Sequence, residues 1–595
     1  MCRIAGILHP GKPLPELEQI VQSMCELLKH GGPDDGGTYS AAQQHLVLGN
    51  RRLALQDLSP AGHMPMQYAA RYTITFNGEI YNFKELKEEL QHAGQVFHNG
   101  TDTEVIMAAY DQWEMQCFTK FKGMFALAIW DVAREELILA RDAAGMKPLY
   151  YSTHTGGIAF ASEMRAFAVV PWLQQANASW PIHLLAYGHI PEPVTTLQHV
   201  QPLPKGCTLT YRISQGNVTL RSFKHYSYTS EFAFAEPVKA LIREQLEQSV
   251  KRHLVADTPI GCFLSGGLDS SIIASLASKQ QAEKLLSLSI YFKEGAFSEK
   301  PYQDIMIHSI GCSNNQWLLE EADFHKALPA IFGDMDMPSC DGINTWFISR
   351  CAKESGLKAV LTGIGGDELL GGYPSFNRME LAGRLHQLPA HLLDIGQRSR
   401  FKKLNRLSYL KMKGIKGLYL FLRGHFTPVE IARQLDMDEH EVWSVLNELP
   451  NFNDISNLTA KNQASWMEFN LYLQNQLLRD ADVMGMAHGI EIRVPFLDDD
   501  FIRLCTHISS SVKYNGKSLK PLLGDSFRHL IPAAILNRPK MGFAFPFADW
   551  MKQNQYVRNM SEGTSRNRDN YERFISGKLH WSQMMTLLLI KERGL

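Results

Sequence analysis

"CFLSGGLDSS", residues 262–271, decides how the second half of this 595-residue chain folds. Residues 260–264 (IGCFL) form a short apolar run of the kind that becomes a fully buried strand, and "SSIIASLASKQ" after it has the pattern of a helix. Between them, Ser265, Gly266 and Gly267 have to turn the chain. Two glycines let the backbone approach a ligand with no Cβ in the way. The free N–H groups of a helix start, together with serine hydroxyls, are donors suited to phosphate. A turn that needed only glycine flexibility would not require Asp269 and two hydroxyls in the same loop. The stretch therefore reads as an anion cradle at the end of a buried strand. It is not a Walker A loop, since no lysine closes it. The "NGKS" at 515–518 fails that pattern too, because Ser511 stands where the first glycine belongs.

Around this loop the chain alternates helix and short strand. "PVKALIREQLEQSVKRHL" (237–254) is amphipathic at helical spacing, while "KLLSLSIYF" (284–292) and "KAVLTG" (358–363) read as strands. Such alternation predicts a parallel sheet covered on both faces. A second glycine-rich turn, "LTGIGGDELLGGY" (361–373), follows the last of these strands. Ligands of parallel sheets bind at the carboxyl ends of the strands, so this turn is expected beside the first, with Asp269 and Asp367 holding a Mg²⁺ ion between phosphate oxygens. Residues from about 376 to 480 read as largely helical, and the basic stretch 396–417 as a solvated helix face.

Upstream the texture differs. "HLVLGNRRLAL" (45–55), "RYTITFNGEIYN" (71–82), "GMFALAIWD" (123–131), "ELILARD" (136–142) and "GIAFASE" (157–163) are strand-like runs separated by turn signals. Helices are expected at 14–28 and 83–93, giving a sheet-rich α+β domain. A polar, proline-bearing stretch suggests a linker at 212–236, so the organisation expected is 1–211, linker, 237–595. The chain far exceeds the roughly 250 to 300 residues at which single cores stop growing.

Composition excludes several classes of function. Sixty basic residues against sixty-one acidic ones leave a net charge of −1, so no global field favours nucleic acid or an anionic membrane. The nine cysteines form no C-x-x-C pair, which argues against a disulfide framework or a zinc site. No secretory signal and no membrane-spanning run is visible, and a cytoplasmic protein is expected. Cys2 sits directly behind the initiator methionine. Trimming would leave a thiol and a free α-amine, with a reference pKa of about 8, on one residue: a nucleophile and its base.

Both halves resemble one family. Cys2 with "HGGPD" (30–34), "RRL" (51–53), "NGEIYN" (77–82), "GTDTE" (100–104), "GMFALAIWD", "RDAAGMKPLYY" (141–151) and "FASE" (160–163) is similar to a class II glutamine amidotransferase domain. "SGGLDSS", "TGIGGDELLGGY", "MAHGIEIRVPFLD" (486–498) and "RPKMGFAFP" (538–546) resemble the synthetase half of glutamine-dependent asparagine synthetases. The resemblance implies an N-terminal-nucleophile glutaminase of sandwiched antiparallel sheets, followed by an α/β parallel-sheet ATP-pyrophosphatase domain with helical additions. It implies attack of Cys2 on glutamine, an oxyanion hole at Asn77 and Gly78, and a glutamine site of Arg52, Leu53, Glu79 and Asp102. It assigns ATP to Leu264, Ser265, Gly266, Gly267, Asp269, Ser270, Ile290, Thr362 and Gly363, with Lys517 and Lys540 near the phosphates and Lys540 among the catalytic groups. Met124 and Leu264 match positions along an ammonia passage.

Glutamine, ATP with Mg²⁺, and aspartate are the implied substrates, and the resemblance allows a homodimer. Four departures stand out. Gly31 and Ala143 occupy places where arginine is usual, Val483 after Asp482 replaces a common arginine, and Ile364 replaces an acidic residue near the adenylate. Ile364 leaves open an acceptor other than aspartate: a peptide or cell-surface precursor, or an internal amide closed as lasso-peptide and β-lactam cyclases do. A non-catalytic scaffold on the same fold is the alternative from another class, against which the intact Cys2, Asp269 and Asp367 speak. A phosphoribosyl-transferring amidotransferase would share only the first half.

Overall fold

The computed structural model describes residues 2–281, 285–393, 402–450, 454–516, 518–539, 541 and 545–594. Twelve strands form two antiparallel six-stranded sheets in the first half. They are β1 Cys2–Leu8, β2 Asp35–Ala41, β3 Leu46–Arg52, β4 Met66–Tyr68, β5 Tyr72–Ile80, β6 Gly123–Asp131, β7 Glu136–Arg141, β8 Tyr150–Ser152, β9 Ile158–Ala161, β10 Gln201–Pro202, β11 Cys207–Arg212 and β12 Asn217–Ser222. The first sheet runs β10-β8-β9-β1-β3-β2 and the second β12-β11-β7-β6-β5-β4.

The period-2 alternation of side chains sorts each strand between two cores. From β1, Ile4 and Leu8 join Ala126, Ala128, Trp130 and Leu139 of the second sheet. Ala5 and Ile7 face the other way, onto Leu17, Val21 and Met24 of α1 (Leu14–Leu27). The outer face of the second sheet, with Ile74, Phe76, Leu127 and Ile129, is covered by α2 (Phe83–His92) and α3 (Asp102–Trp113). The result is a four-layer sandwich of helix, sheet, sheet and helix. Each fully buried aliphatic or aromatic side chain contributes about 2 kcal/mol of transfer free energy.

The segment 212–236, read as a linker, departs from expectation. β12 pairs with β11 from Cys207↔Ser222 to Arg212↔Asn217, so the sheet continues well into it. β12 is an edge strand whose residues are mostly exposed, and its polar composition therefore resembles a connector. The connection narrows to residues 223–234 before the helix Ala235–His253.

The second half contains β13 Ile260–Phe263, β14 Leu286–Tyr291, β15 Ser313–Leu318, β16 Ala359–Leu361 and β17 Glu491–Arg493. They form one parallel sheet in the order β15-β14-β13-β16-β17. The chain builds outward from β13 through β14 to β15, then returns to place β16 and β17 on the other side. The strand order reverses between β13 and β16, and the loops after these two strands therefore lie side by side.

All nine cysteines are free and buried. Among the described residues no helix is long and apolar enough to cross a membrane. The basic stretch 396–417 is not simply a solvated face. Residues 396–401 lie outside the described ones, but Lys416 is buried and donates to the carbonyls of Asn447 (3.0 Å) and Leu449 (2.7 Å), while Tyr409 and Leu410 enter the core.

Candidate active sites

β1 begins at Cys2, directly opposite Arg52 of β3. The Cys2 backbone N–H donates to Asn77 Oδ1 at 3.3 Å, which ties the start of the first sheet to β5 of the second. The backbone of Leu53 hydrogen-bonds the thiol, and burial pushes that thiol up to about 11. Removing its proton therefore requires a base close by. Next to Asn77, Gly78 holds φ +154°, and a Cβ there would lie 2.1 Å from the Met124 carbonyl oxygen. Only glycine lets β5 approach β6 this closely.

Arg52 spends its donors on backbone, reaching the carbonyls of Ser59 (3.3 Å), Gln56 (3.2 Å) and Asp57 (2.5 Å). Among the described residues no carboxylate forms a direct ion pair with it, although its charge helps to lower the carboxyls of Asp35 and Asp57. Glu79 and Asp102 are buried. Asp102 accepts the Ile80 N–H at 3.0 Å, and burial raises its carboxyl to about 6. Glu79 is held well above the usual carboxylate range by burial, then by the charges of Asp102 and Glu491. A guanidinium free of direct carboxylate contacts and two buried carboxylates, set around a thiol, match the zwitterionic end of an amino acid.

In the second half the helix Leu268–Gln281 starts one residue ahead of Asp269, so Asp269 lies in its first turn. The cradle is internally bonded: Ser265 Oγ meets Ser270 Oγ at 3.0 Å, and the Gly267 N–H donates to Ser265 Oγ at 3.3 Å. A Cβ on Gly363 would lie 2.8 Å from the Ser270 nitrogen and 2.9 Å from Asp269 Cβ, so the two glycine-rich loops touch. Leu264, Ser265, Gly267, Asp269 and Ser270 line a cavity of about 790 Å³ with Ile290, Thr362 and Gly363. Gly266 forms the back of the loop, where its carbonyl accepts from Arg538 Nη1 at 2.7 Å.

Lys520 was not singled out in the sequence, yet its ammonium sits between the two aspartates, 2.5 Å from Asp269 Oδ2 and 2.7 Å from Asp367 Oδ1. These two carboxylates hold Lys520 more firmly protonated than a free lysine. Lys517, three residues earlier, and Lys540 both lie outside the described residues. Asp269 and Asp367 share one cation position, which fits Mg²⁺ completed by phosphate and water oxygens. Among the described residues no cluster of three or more His, Cys, Asp or Glu could bind a metal by protein groups alone.

The same cavity is also lined by Ile364, Asp341, Asp480, Glu368 and Tyr373. Tyr373 Oη donates to Glu368 Oε1 at 2.6 Å, and burial raises Glu368 to about 7, helped by the nearby charge of Asp367. Burial likewise raises Asp480, to about 7. Ile364 contributes an apolar residue to this lining.

Between the two sites one apolar cluster contains Leu53, Met124 and Met146 of the first half together with Leu264, Leu361, Met486 and Val494 of the second. Glu79 faces Arg493 across the same interface at 3.8 Å, and Arg493 pairs with Glu491 at 2.5 Å.

The asparagine synthase family model matches residues 241–580, and the glutamine amidotransferase domain model matches residues 1–227. The chain is 30% identical to asparagine synthetase [glutamine-hydrolyzing] 1 of Bacillus subtilis, over 94% of this chain and 90% of the relative. It is 25% identical to asparagine synthetase B [glutamine-hydrolyzing] of Escherichia coli, over 96% and 88% of the two chains. Among solved structures, the glutamine phosphoribosylpyrophosphate amidotransferase of B. subtilis is 14% identical with a TM-score of 0.30, covering 61% of this chain and 81% of that one.

Proposed function

We propose, since the chain belongs to the glutamine-hydrolysing asparagine synthetase family, that it moves the side-chain nitrogen of glutamine onto aspartate, consuming ATP and releasing asparagine, AMP and pyrophosphate. The observation that carries this reading is that one continuous apolar cluster contains Leu53, whose backbone bonds the thiol, and Met124 together with Leu264, the first residue of the phosphate cradle. Ammonia released at one end would reach the other without entering water, where it would become ammonium.

In this reading Arg52 takes the glutamine α-carboxylate, and Glu79 and Asp102 take the α-ammonium. With Met1 removed, the Cys2 amine accepts the thiol proton. Sulfur attacks the side-chain amide, Asn77 and the Gly78 N–H stabilise the oxyanion, ammonia leaves, and water hydrolyses the thioester to glutamate. In the other site Ser265, Gly267 and Ser270 hold phosphate oxygens. An oxygen of the acceptor carboxylate attacks the α-phosphorus and pyrophosphate departs. Ammonia then displaces AMP from the acyl carbon. Asp269 and Asp367 would hold Mg²⁺, which neutralises phosphate charge when bound. Lys520 holds a proton and a positive charge at the same place, and Glu368, poised near neutral pH and bonded to Tyr373, accepts the proton that the attacking nitrogen gives up. In this reading Lys517 and Lys540 contact the phosphates, and Lys520 is a further lysine beside the cradle.

Ile364 favours a second reading, in which the acceptor is a carboxylate other than aspartate. An apolar residue in the cavity lining offers an aspartate no charge. ATP–pyrophosphate exchange across a panel of carboxylates separates the two readings. The test of the nitrogen supply is Cys2→Ser: glutamine-driven amide formation should be lost while ammonium-driven formation persists, and retention of both would remove Cys2 from the mechanism.

A further inference from the structure

The residue after the thiol is Arg3, which is fully buried. By strand alternation its side chain leaves the opposite face of β1 from Cys2. It reaches Glu163 at 2.6 Å and Asp482 at 2.8 Å. Asp482 belongs to the second half, on the helix Arg479–Met486, and also receives Lys147 at 3.0 Å. A single buried carboxylate of the synthetase half thus holds two cations of the glutaminase half. Glu163 is met as well by Arg165 at 2.8 Å and His30 at 3.0 Å, and Arg165 lies 3.5 Å from Asp336. Removing Arg3 therefore takes a charged partner from two buried carboxylates at once, Glu163 and Asp482.

Gly31 makes room for this arrangement. A Cβ at Gly31 would lie 2.8 Å from Arg3 Cγ, 2.9 Å from Arg3 Nε and 3.2 Å from Met486 Cε. The guanidinium thus runs through the space that a side chain at position 31 would fill. The helix gripping it faces both sites: Asp480 lines the large cavity, Asp482 holds Arg3, and Met486 enters the apolar cluster between them.

We propose that Arg3 is a positioning residue through which the docked synthetase half, by way of Asp482, fixes the Cys2 nucleophile for attack on glutamine. Arg3 touches no substrate. It holds the first residues of β1 at both ends of its guanidinium, one residue from the sulfur. This rests on the proposed role of Cys2.

The test uses the full chain with Arg3→Met, Arg3→Lys, Asp482→Asn and the Arg3→Met/Asp482→Asn double variant. A misplaced nucleophile lowers the chemical step more than binding. The kcat for glutamine hydrolysis in Arg3→Met should therefore fall by about tenfold or more, with KM changed by less than about twofold. Ammonium-driven ATP consumption should stay within about twofold of the native chain, which reports an intact second half. Complete but slower labelling of Cys2 by an electrophilic glutamine analogue reports an intact first half. Arg3→Lys should recover most of the rate, Asp482→Asn should reproduce the defect, and the double variant should be no worse than the poorer single one. Native-like kcat in Arg3→Met, or additive defects in the double variant, would overturn the proposal. If Cys2→Ser left glutamine hydrolysis intact, the role of Cys2 itself would fail instead, and the two outcomes are distinguishable.

Discussion

Replacing Lys520 by methionine removes one ammonium from between two carboxylates and keeps an unbranched stem. Nζ lies 2.5 Å from Asp269 and 2.7 Å from Asp367. At an effective dielectric constant of about 20, each contact is worth about 6 kcal/mol of Coulomb attraction before desolvation is subtracted. The lysine side chain is 8% exposed and the two carboxylates 15% and 21%, so water screens the cluster in part. The net cost of removal then belongs at the lower end of the range for breaking a buried pair, about 3 kcal/mol, or about a hundredfold in local opening. Hydrogen–deuterium exchange over Leu268–Gln281 and Gly366–Leu370 reads this directly. The variant should exchange about a hundredfold faster there, and millimolar Mg²⁺ should restore protection. In the native chain the metal must displace the ammonium, and the same Mg²⁺ should change exchange less. ATP–pyrophosphate exchange should be lost, while glutamine hydrolysis stays within about twofold. Unchanged protection in these helices, or an equal response of both proteins to Mg²⁺, would refute the shared cation position.

Asp102, raised to about 6 by burial, gives the glutamine site a pH dependence. Below that value the carboxyl is neutral and loses its attraction for an α-ammonium, so the KM for glutamine should climb about tenfold per unit as pH falls and level off above it. Asp102→Asn should show a high KM that does not change over this range. Ile364→Glu adds a charge-assisted partner for an amino-acid acceptor, and should lower the KM for aspartate about tenfold without helping succinate, as read by ATP–pyrophosphate exchange. Gly78→Ala drives a methyl group to 2.1 Å from the Met124 carbonyl oxygen and should cut glutamine hydrolysis about a hundredfold, leaving ammonium-driven synthesis intact.

Much of this molecule is legible in local pattern. The apolar run 260–264, the glycines behind it and the second turn at 361–373 specify strand, cradle and neighbouring cradle, because a parallel sheet leaves its loops at one edge. Alternating runs likewise announce the two antiparallel sheets. What local pattern does not carry is long-range placement. An exposed edge strand such as β12 has no apolar face to distinguish it from a linker. Nothing in "NGKSLK" says that Lys520 turns inward. Lys520 does so from a left-handed backbone conformation with φ +51°. Asp341 and Asp480 come from separate elements and meet Glu368 and Tyr373 of the second glycine-rich turn only at the cavity wall. Arg3 and Asp482 lie 479 residues apart in the sequence numbering, and no spacing rule joins them.

The central claim, one chain carrying nitrogen from a thiol-bound amide to a carboxylate activated on AMP, meets its most direct test in product analysis with amide-¹⁵N glutamine, ATP, Mg²⁺ and aspartate. The account predicts ¹⁵N-asparagine with AMP and pyrophosphate in equal amounts, and no dilution of the label when a small amount of unlabelled ammonium is present. ADP in place of AMP, or labelled ammonium accumulating beside an unlabelled product, would contradict it.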